Sequence, residues 1–198
     1  MDSFSLNKDK FRDNNFSKTL PAVQASQANE ILKDSYNLGF LGLTEPVAEL
    51  ELEKRLIEKI KIFMLELGKG FAYIGNQFRI EYNGKEYFVD LLFSNRKLNC
   101  LVAIDLKIGE FKSEYVGKMN MYLSLLDKLE KEETENQSIG IILCAEKDHL
   151  DVELALQDIN KPIAVSDYEL LVPKNELQTL ILNEMKQVQI TDNDEAEK

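Results

Sequence analysis

The pattern of apolar runs and polar breaks between residues 71 and 107 predicts three consecutive strands. Asn83-Gly84 separates the first two strands, because a two-residue type I′ turn needs positive φ at both central positions. A polar break at residues 94–97 separates the second strand from the third. This stretch is therefore expected to form a three-stranded meander, around which the other elements are arranged.

Apolar residues at helical spacing occupy one segment on each side of this meander. The first runs from a cap at Thr44 to about Leu67 and ends at two glycines, and the second runs from a cap at Ser113 over residues 114–131. A continuous apolar run at residues 138–146 predicts a strand covered on both faces. Shorter patterns predict a helix at 21–33, a packed connector at 34–43, a helix at 150–156, a strand at 163–165 and a helix at 175–186.

This order of elements predicts an α/β fold with a mixed sheet flanked by helices, rather than a regular βαβ repeat. The chain of 198 residues is long enough for one domain with a substantial core. We assign residues 44–187 to this main domain. Residues 1–43 are expected to be an N-terminal extension with one short helix, of which the polar residues 1–20 lack order, and residues 188–198 an acidic disordered tail.

The net charge of −11 argues against a general nucleic-acid coat protein, which would normally be basic. Residues 66–128 are nearly neutral, however, so binding of nucleic acid at that region stays open. No apolar run approaches the roughly 20 residues that span a membrane. Cys100 and Cys144 lie in apolar runs without metal-binding spacing, and we interpret them as buried free thiols of a cytoplasmic protein.

Three charged residues are expected to converge within the meander. Asp105 and Lys107 are two positions apart and point to the same side of the third strand, and Asp90 lies on the neighbouring strand. Such groups are costly to bury without a function. We interpret Asp90 and Asp105 as ligands of Mg²⁺ or Mn²⁺, and Lys107 as the group that positions water or stabilises the transition state of phosphodiester hydrolysis.

Other interpretations of these residues stay open. The acid-x-lysine pattern alone is weak, because it occurs three times in the chain, and ordinary charged pairs at a sheet edge would also explain it. His149 is the only histidine, which disfavours a nucleophile activated by histidine. One helix that faces the same region carries three residues about one turn apart, which are either core and rim residues or phosphate contacts: Tyr115, Lys118 and Tyr122. An acid from the preceding helix could complete the site, and the candidates are Glu53, Glu58 and Glu66.

Over residues 15–173 the sequence resembles the PD-(D/E)XK nuclease superfamily and, within it, the YhcG-like group of bacterial nucleases. The resemblance rests on long ordered segments, which include LELGKGFAYIGNQFRIEYNGKEYFVDLLF and LNCLVAIDLKIGEFKSEYVGKMNMYL. It implies a restriction-endonuclease-like αβββαβ core with a four-stranded mixed sheet. By this resemblance Asp90 matches the first aspartate of the motif, Asp105 its second acid and Lys107 its lysine.

The resemblance further implies magnesium-dependent hydrolysis of DNA. Among the three acids of the preceding helix we take Glu53 as the catalytic candidate, and the choice between them stays open. The expected substrate contacts are Gln77, Arg79, Lys118 and Tyr122. The group usually has glutamate at position 105 and arginine at position 76, where this chain has Asp105 and Asn76.

The group also carries a helical domain before the nuclease domain, so residues 1–43 are expected to be its remnant or junction. We therefore expect either a truncated member of the group or a chain whose partner protein supplies the helical domain. A homodimer is the other assembly that stays open. No membrane association is expected. The alternative function is a catalytically inactive module of the same fold that binds nucleic acid or a partner protein.

Overall fold

The computed structural model describes residues 12–43 and 47–170, which form one mixed sheet and the helices that cover it. Its elements in chain order are α1 (Phe16–Thr19), α2 (Ala22–Ile31), β1 (Ser35–Asn37), a 3-10 helix (Gly39–Leu41), α3 (Glu49–Glu58), α4 (Ile60–Leu67), β2 (Phe71–Tyr82), β3 (Lys85–Asn95), β4 (Cys100–Leu106), α5 (Glu114–Leu129), β5 (Ile139–Cys144), α6 (His149–Leu156) and β6 (Ile163–Glu169).

The sheet has six strands in the order β1-β6-β5-β4-β3-β2. β2, β3 and β4 form the expected antiparallel meander, whereas β4, β5, β6 and β1 are parallel. The mixed α/β fold is therefore confirmed, but the predicted count of four strands is wrong. β6 extends well beyond the predicted residues 163–165, and the three-residue β1 lies in the predicted connector. A strand this short has no usable periodicity and exists because β6 offers it an edge to pair with.

Both faces of the sheet are buried. One face packs against α1 to α4, with Phe16, Leu52, Phe63 and Phe93 in its core. The other face packs against α5 and α6. β4 and β5 are buried at every position, which explains their continuous apolar runs.

Helix α5 lies unusually close to the sheet at Gly140 on β5. A Cβ atom at this position would lie 2.6 Å from the Sδ of Met119 on α5. Glycine therefore permits an approach of helix and strand that any other residue would obstruct. This approach brings the first half of α5 over β4 and β5.

Three predicted helices are confirmed, and each of their ends lies within two residues of the prediction: α2, α5 and α6. The predicted helix at 44–67 is instead two helices, which meet at Lys59 with φ −110° and ψ 29°. No glycine or proline in the sequence marks this break. The cap predicted at Thr44, the helix at 175–186 and the tail at 188–198 lie outside the described residues.

Residues 12–20 are packed, contrary to the expectation that the first 20 residues lack order. The side chain of Asn15 accepts a hydrogen bond from the Ile163 amide and donates one to the Lys161 carbonyl, and Phe16 is fully buried. Polar composition misled the prediction because backbone groups of distant segments satisfy these side chains. Among the described residues no helix is both long and apolar enough to cross a membrane.

Candidate active site

The candidate site lies at the carboxyl end of β4, where Asp105 and Lys107 leave the centre of the sheet. The backbone of Lys107 is fixed on two sides. Its amide donates a 2.8 Å hydrogen bond to the carbonyl of Leu143 on β5, and its carbonyl accepts a 3.0 Å bond from the Tyr168 hydroxyl on β6. The parallel strands therefore determine where the two charged side chains emerge.

Asp105 is fully buried between two lysines. Its Oδ2 lies 3.0 Å from the Nζ of Lys107, and its Oδ1 lies 3.2 Å from the Nζ of Lys118 on α5. Lys107 also donates a 2.9 Å hydrogen bond to the carbonyl of Leu106. Burial disfavours the charge of Lys107, but attraction to Asp105 outweighs it and holds the pKa of the lysine above its usual value. Lys107 therefore acts as a fixed positive charge rather than as a base.

Asp90, on the neighbouring strand β3, faces the same carboxylate. Its Oδ2 accepts a 2.9 Å hydrogen bond from the backbone amide of Leu106, which lies between the two residues of the acid-x-lysine pattern. Burial, together with the negative charge of Asp105, raises the pKa of Asp90 to about 6. The two acids are therefore close enough for the charge of one to disfavour the charge of the other.

Glu53 on α3 is joined to Asp90 by Gln77 on β2. The Nε2 of Gln77 donates a 2.6 Å hydrogen bond to the Oε2 of Glu53 and lies 3.4 Å from the Oδ1 of Asp90. Asn76 donates a longer bond of 3.3 Å to the other oxygen of Glu53. One amide side chain therefore links the helix acid to the strand acid.

Gln77 has a φ of +44°, in the left-handed region that residues other than glycine rarely adopt. It follows an irregularity in the pairing of β2 with β3, between Tyr73 and Gly75. Backbone of this kind is costly and concentrates at functional sites. It aims the Gln77 side chain at the two acids.

Of the three candidate helix acids, Glu53 is the one that the structure joins to the site. Glu58 is exposed. Glu66 accepts a 2.8 Å hydrogen bond from the backbone amide of Asn37 and pairs with Lys33 at 3.0 Å, so it fixes the connector that contains β1.

Three of the four expected substrate contacts lie at the site. Gln77 bonds to the acids, as described, and Lys118 bonds to Asp105. Tyr122 is buried one turn after Lys118, whose Nζ lies 5.3 Å from the centre of its ring. Lys118 therefore has two neighbours within the site, a carboxylate and an aromatic face.

Arg79 is not brought to the acids. It lies on the exposed β2–β3 hairpin and pairs with Glu86 at 2.5 Å and with Glu81 at 2.9 Å. Glu86 lies on the neighbouring strand and Glu81 lies two residues further along the same strand, so the positive charge of Arg79 is already neutralised by protein carboxylates. The expectation that Arg79 contacts the substrate is not supported by its position.

Glu49 was not among the predicted site residues, yet its Oε1 lies 3.5 Å from the Nζ of Lys107. Tyr115, which the sequence placed on the helix facing this region, has its ring centre 5.2 Å from the same Nζ. The spacing offered a signal, because Glu49 precedes Glu53 by four residues and so faces the same side of α3. Lys107 therefore lies between α3 and α5 as well as beside Asp105.

Asp90 and Asp105 fit a hard divalent cation. Within residues 12–43 and 47–170 no three histidine, cysteine, aspartate or glutamate side chains gather closely enough to form a complete metal cage. Mg²⁺ does not require one, because it usually binds one or two carboxylates and keeps several water molecules. The buried Oδ2 of Asp105 receives no well-directed hydrogen bond from a described residue. The raised pKa of Asp90 shows that its negative charge is poorly compensated in the folded chain, which a bound divalent cation would relieve.

Residues 29–186 match the family described as the YhcG PDDEXK nuclease domain. Over 153 residues the chain is 37% identical to the Escherichia coli (strain K12) protein named "Putative nuclease YhcG". This alignment covers 77% of the chain and 41% of that protein. The chain thus spans less than half of the length of this curated relative.

Two solved structures are similar at lower identity. A repair endonuclease from Pyrococcus abyssi has a TM-score of 0.44 and 18% identity over 66% of this chain and 50% of its own. EndoMS in a complex with double-stranded DNA has a TM-score of 0.42 and 17% identity over 67% of this chain and 49% of its own.

Proposed function

The chain belongs to the YhcG PDDEXK nuclease domain family, and from that premise we propose that it hydrolyses phosphodiester bonds of DNA with Mg²⁺ or Mn²⁺ as its metal ion. One observation carries the proposal beyond family membership. The fully buried Asp105 lies between Asp90, which has a raised pKa, and Lys107, which has a fixed charge. An ordinary charged pair at a sheet edge would be open to solvent.

Asp90 and Asp105 would hold the metal ion. When bound, it would lower the pKa of an attacking water molecule and offset the charge that grows on the phosphate. Lys107 keeps its proton and presents a point charge toward the same region, where it would stabilise the developing negative charge. Contacts with Asp105 and Glu49 hold the Lys107 side chain in place, and its ammonium group keeps its proton.

Glu53 is proposed as the third acid of the site and Gln77 as the residue that positions it. The 2.6 Å bond between them links α3 to the sheet beside Asp90. Lys118 and Tyr122 are proposed as the groups that meet the substrate. Lys118 is 45% exposed, so its side chain can reach a phosphate outside the protein.

The experiment that tests the function is incubation of the purified chain with plasmid, linear and single-stranded DNA and with RNA of matched sequence, each with Mg²⁺, Mn²⁺ or EDTA. Asp90→Asn and Lys107→Met should abolish metal-dependent cleavage of DNA. Asp158→Asn changes an exposed aspartate and should cleave like the unmodified chain. Cleavage that persists equally in all three variants would exclude the proposed site, and preferential cleavage of RNA would exclude the proposed substrate.

The competing function is a non-catalytic module that binds nucleic acid or a partner protein. The net charge of −11 and the pairing of Arg79 with two glutamates both weaken attraction to a phosphate backbone, which favours the form of this module that binds a partner protein. A filter-binding titration in EDTA distinguishes the two functions. Tight binding of nucleic acid without cleavage under any metal condition would favour the module.

A further inference from the structure

Asp105 has more cationic neighbours than a single carboxylate needs. One oxygen faces Lys107 at 3.0 Å and the other faces Lys118 at 3.2 Å. Because Asp105 is fully buried, leaving its charge uncompensated would be strongly unfavourable. Lys107 is also within reach of Glu49, so its charge is divided between two acids.

The two lysines differ in their freedom to move. Lys107 is 10% exposed, bonds to the carbonyl of Leu106 and has its backbone fixed by neighbouring strands. Lys118 is 45% exposed and reaches Asp105 from the surface of α5. Only the end of its side chain would have to rotate for it to leave the carboxylate. Lys118 is therefore the cation that can be exchanged.

From these observations we propose that Lys118 is an exchangeable counter-ion of Asp105, which neutralises this carboxylate until a divalent cation replaces it. A divalent ion beside Oδ1 would repel the ammonium group that lies 3.2 Å from the same atom, so the two cannot share that oxygen. This inference rests on the proposed function to the extent that it takes Asp105 as a ligand of the cation.

Tyr122 contacts the same ammonium group while it pairs with Asp105 and would remain its partner after displacement. The ring centre lies 5.3 Å from Nζ, within the range of a cation–π interaction. The ammonium group of a lysine is charged near neutral pH whether or not a carboxylate lies beside it. Once released from Asp105, this charge is free for an anionic oxygen of the substrate, such as a nucleic-acid phosphate.

If Lys118 competes with the metal ion for Asp105, its removal should strengthen metal binding even though it weakens substrate binding. Isothermal titration of Mn²⁺ into the chain, without nucleic acid, should show tighter binding by Lys118→Met than by the unmodified chain. The expected gain is about five- to tenfold, the scale set by a partly exposed ion pair. Cleavage by the same variant should fall, because the substrate loses its contact.

Lys128→Met is a matched control on the same helix. Lys128 also lies over a tyrosine ring, 4.7 Å from the centre of Tyr82, and donates a 3.0 Å hydrogen bond to its hydroxyl. Its partner is a phenol rather than a carboxylate, so its Mn²⁺ affinity should not change. Lys118→Arg keeps the charge and should bind Mn²⁺ within about twofold of the unmodified chain.

Circular dichroism tests whether each variant is folded. If Lys118→Met does not fold, Lys118→Gln is used in its place. Unchanged or weaker Mn²⁺ binding by the neutral variant would overturn the proposal, as would no Mn²⁺ binding by any form of the chain. Because the titration contains no nucleic acid, tighter binding supports the exchange even if the chain proves unable to cleave DNA. Conversely, cleavage with unchanged Mn²⁺ affinity would support the nuclease and reject the exchange.

Discussion

The side-chain amide of Gln77 donates a 2.6 Å hydrogen bond to the carboxylate of Glu53. The bond connects β2 to α3 and joins two residues that the sequence assigned to the site separately. The pairing of Asn76 with Leu91 and of Phe78 with Val89 places Gln77 opposite Asp90, and its left-handed backbone, with φ +44°, is a costly conformation of a kind that concentrates at functional sites. Gln77 is therefore better interpreted as a positioning residue than as the substrate contact predicted from the sequence.

Replacing Gln77 with methionine should lower cleavage about 10- to 100-fold, the usual loss when a residue that orients a metal-site acid is removed. The reason is that Glu53 loses its shortest bond while the site keeps all its charges. Steady-state cleavage of a labelled DNA at several Mg²⁺ concentrations measures the effect. Gln157→Met on an exposed position serves as the control. A variant with normal kcat and only a raised KM would restore the role of substrate contact.

The raised pKa of Asp90 predicts that the stability of the metal-free chain depends on pH. Because the folded-state pKa of about 6 exceeds the ordinary 3.8, the folded chain keeps a proton that the unfolded chain has released. The stability that this proton contributes is complete below about pH 4 and is lost as the pH rises through about 6. Asparagine carries no charge at any of these pH values. At pH 7.5 the free energy of unfolding of Asp90→Asn should therefore exceed that of the unmodified chain by about 1–2 kcal/mol.

Urea denaturation in EDTA at pH 4.5 and pH 7.5 checks this dependence. The advantage of Asp90→Asn should be largest at pH 7.5 and small at pH 4.5, and Asp158→Asn should show none at either pH. Asparagine is a fair replacement, because its oxygen can still accept the hydrogen bond from the Leu106 amide. An advantage of equal size at both pH values would show that Asp90 is charged across the whole range.

Glu53 and Glu66 should have separable roles, although the sequence presented both as candidates for the same one. Glu53→Gln should lower cleavage about 10- to 100-fold, since the third acid loses its charge. Glu66→Gln should leave cleavage nearly normal and lower the free energy of unfolding by about 1 kcal/mol, because Glu66 binds the Asn37 amide and Lys33. Parallel cleavage and urea assays measure both, with the exposed Glu58→Gln as control. Loss of cleavage in Glu66→Gln, with Glu53→Gln active, would reverse the assignment.

The charged residues that the sequence predicted to converge are also close together in the structure. Asp105 and Lys107 are two apart on a strand, and Asp90 lies on the neighbouring strand of the meander, so local geometry brings them together. The sequence placed Lys118 on the helix that faces this region, but its contact with Asp105 depends on how α5 packs on the sheet. Glu49 reaches Lys107 through the packing of α3, and only its spacing from Glu53 offered a signal. Arg79 lies on the exposed hairpin away from the acids, and its contact with a substrate stays a prediction.

Asp105 and Lys107 should be energetically coupled, and a double-mutant cycle measures the coupling. Asp105→Asn leaves Lys107 buried without its main partner, and Lys107→Met leaves Asp105 with Lys118 alone, so each should lower the free energy of unfolding by about 2–4 kcal/mol. The double variant removes both charges and should lose about 1–3 kcal/mol less than the sum of the single losses. Urea denaturation of the four proteins in EDTA gives the cycle. Strictly additive losses would mean that the 3.0 Å contact contributes no coupling free energy, which would contradict the prediction.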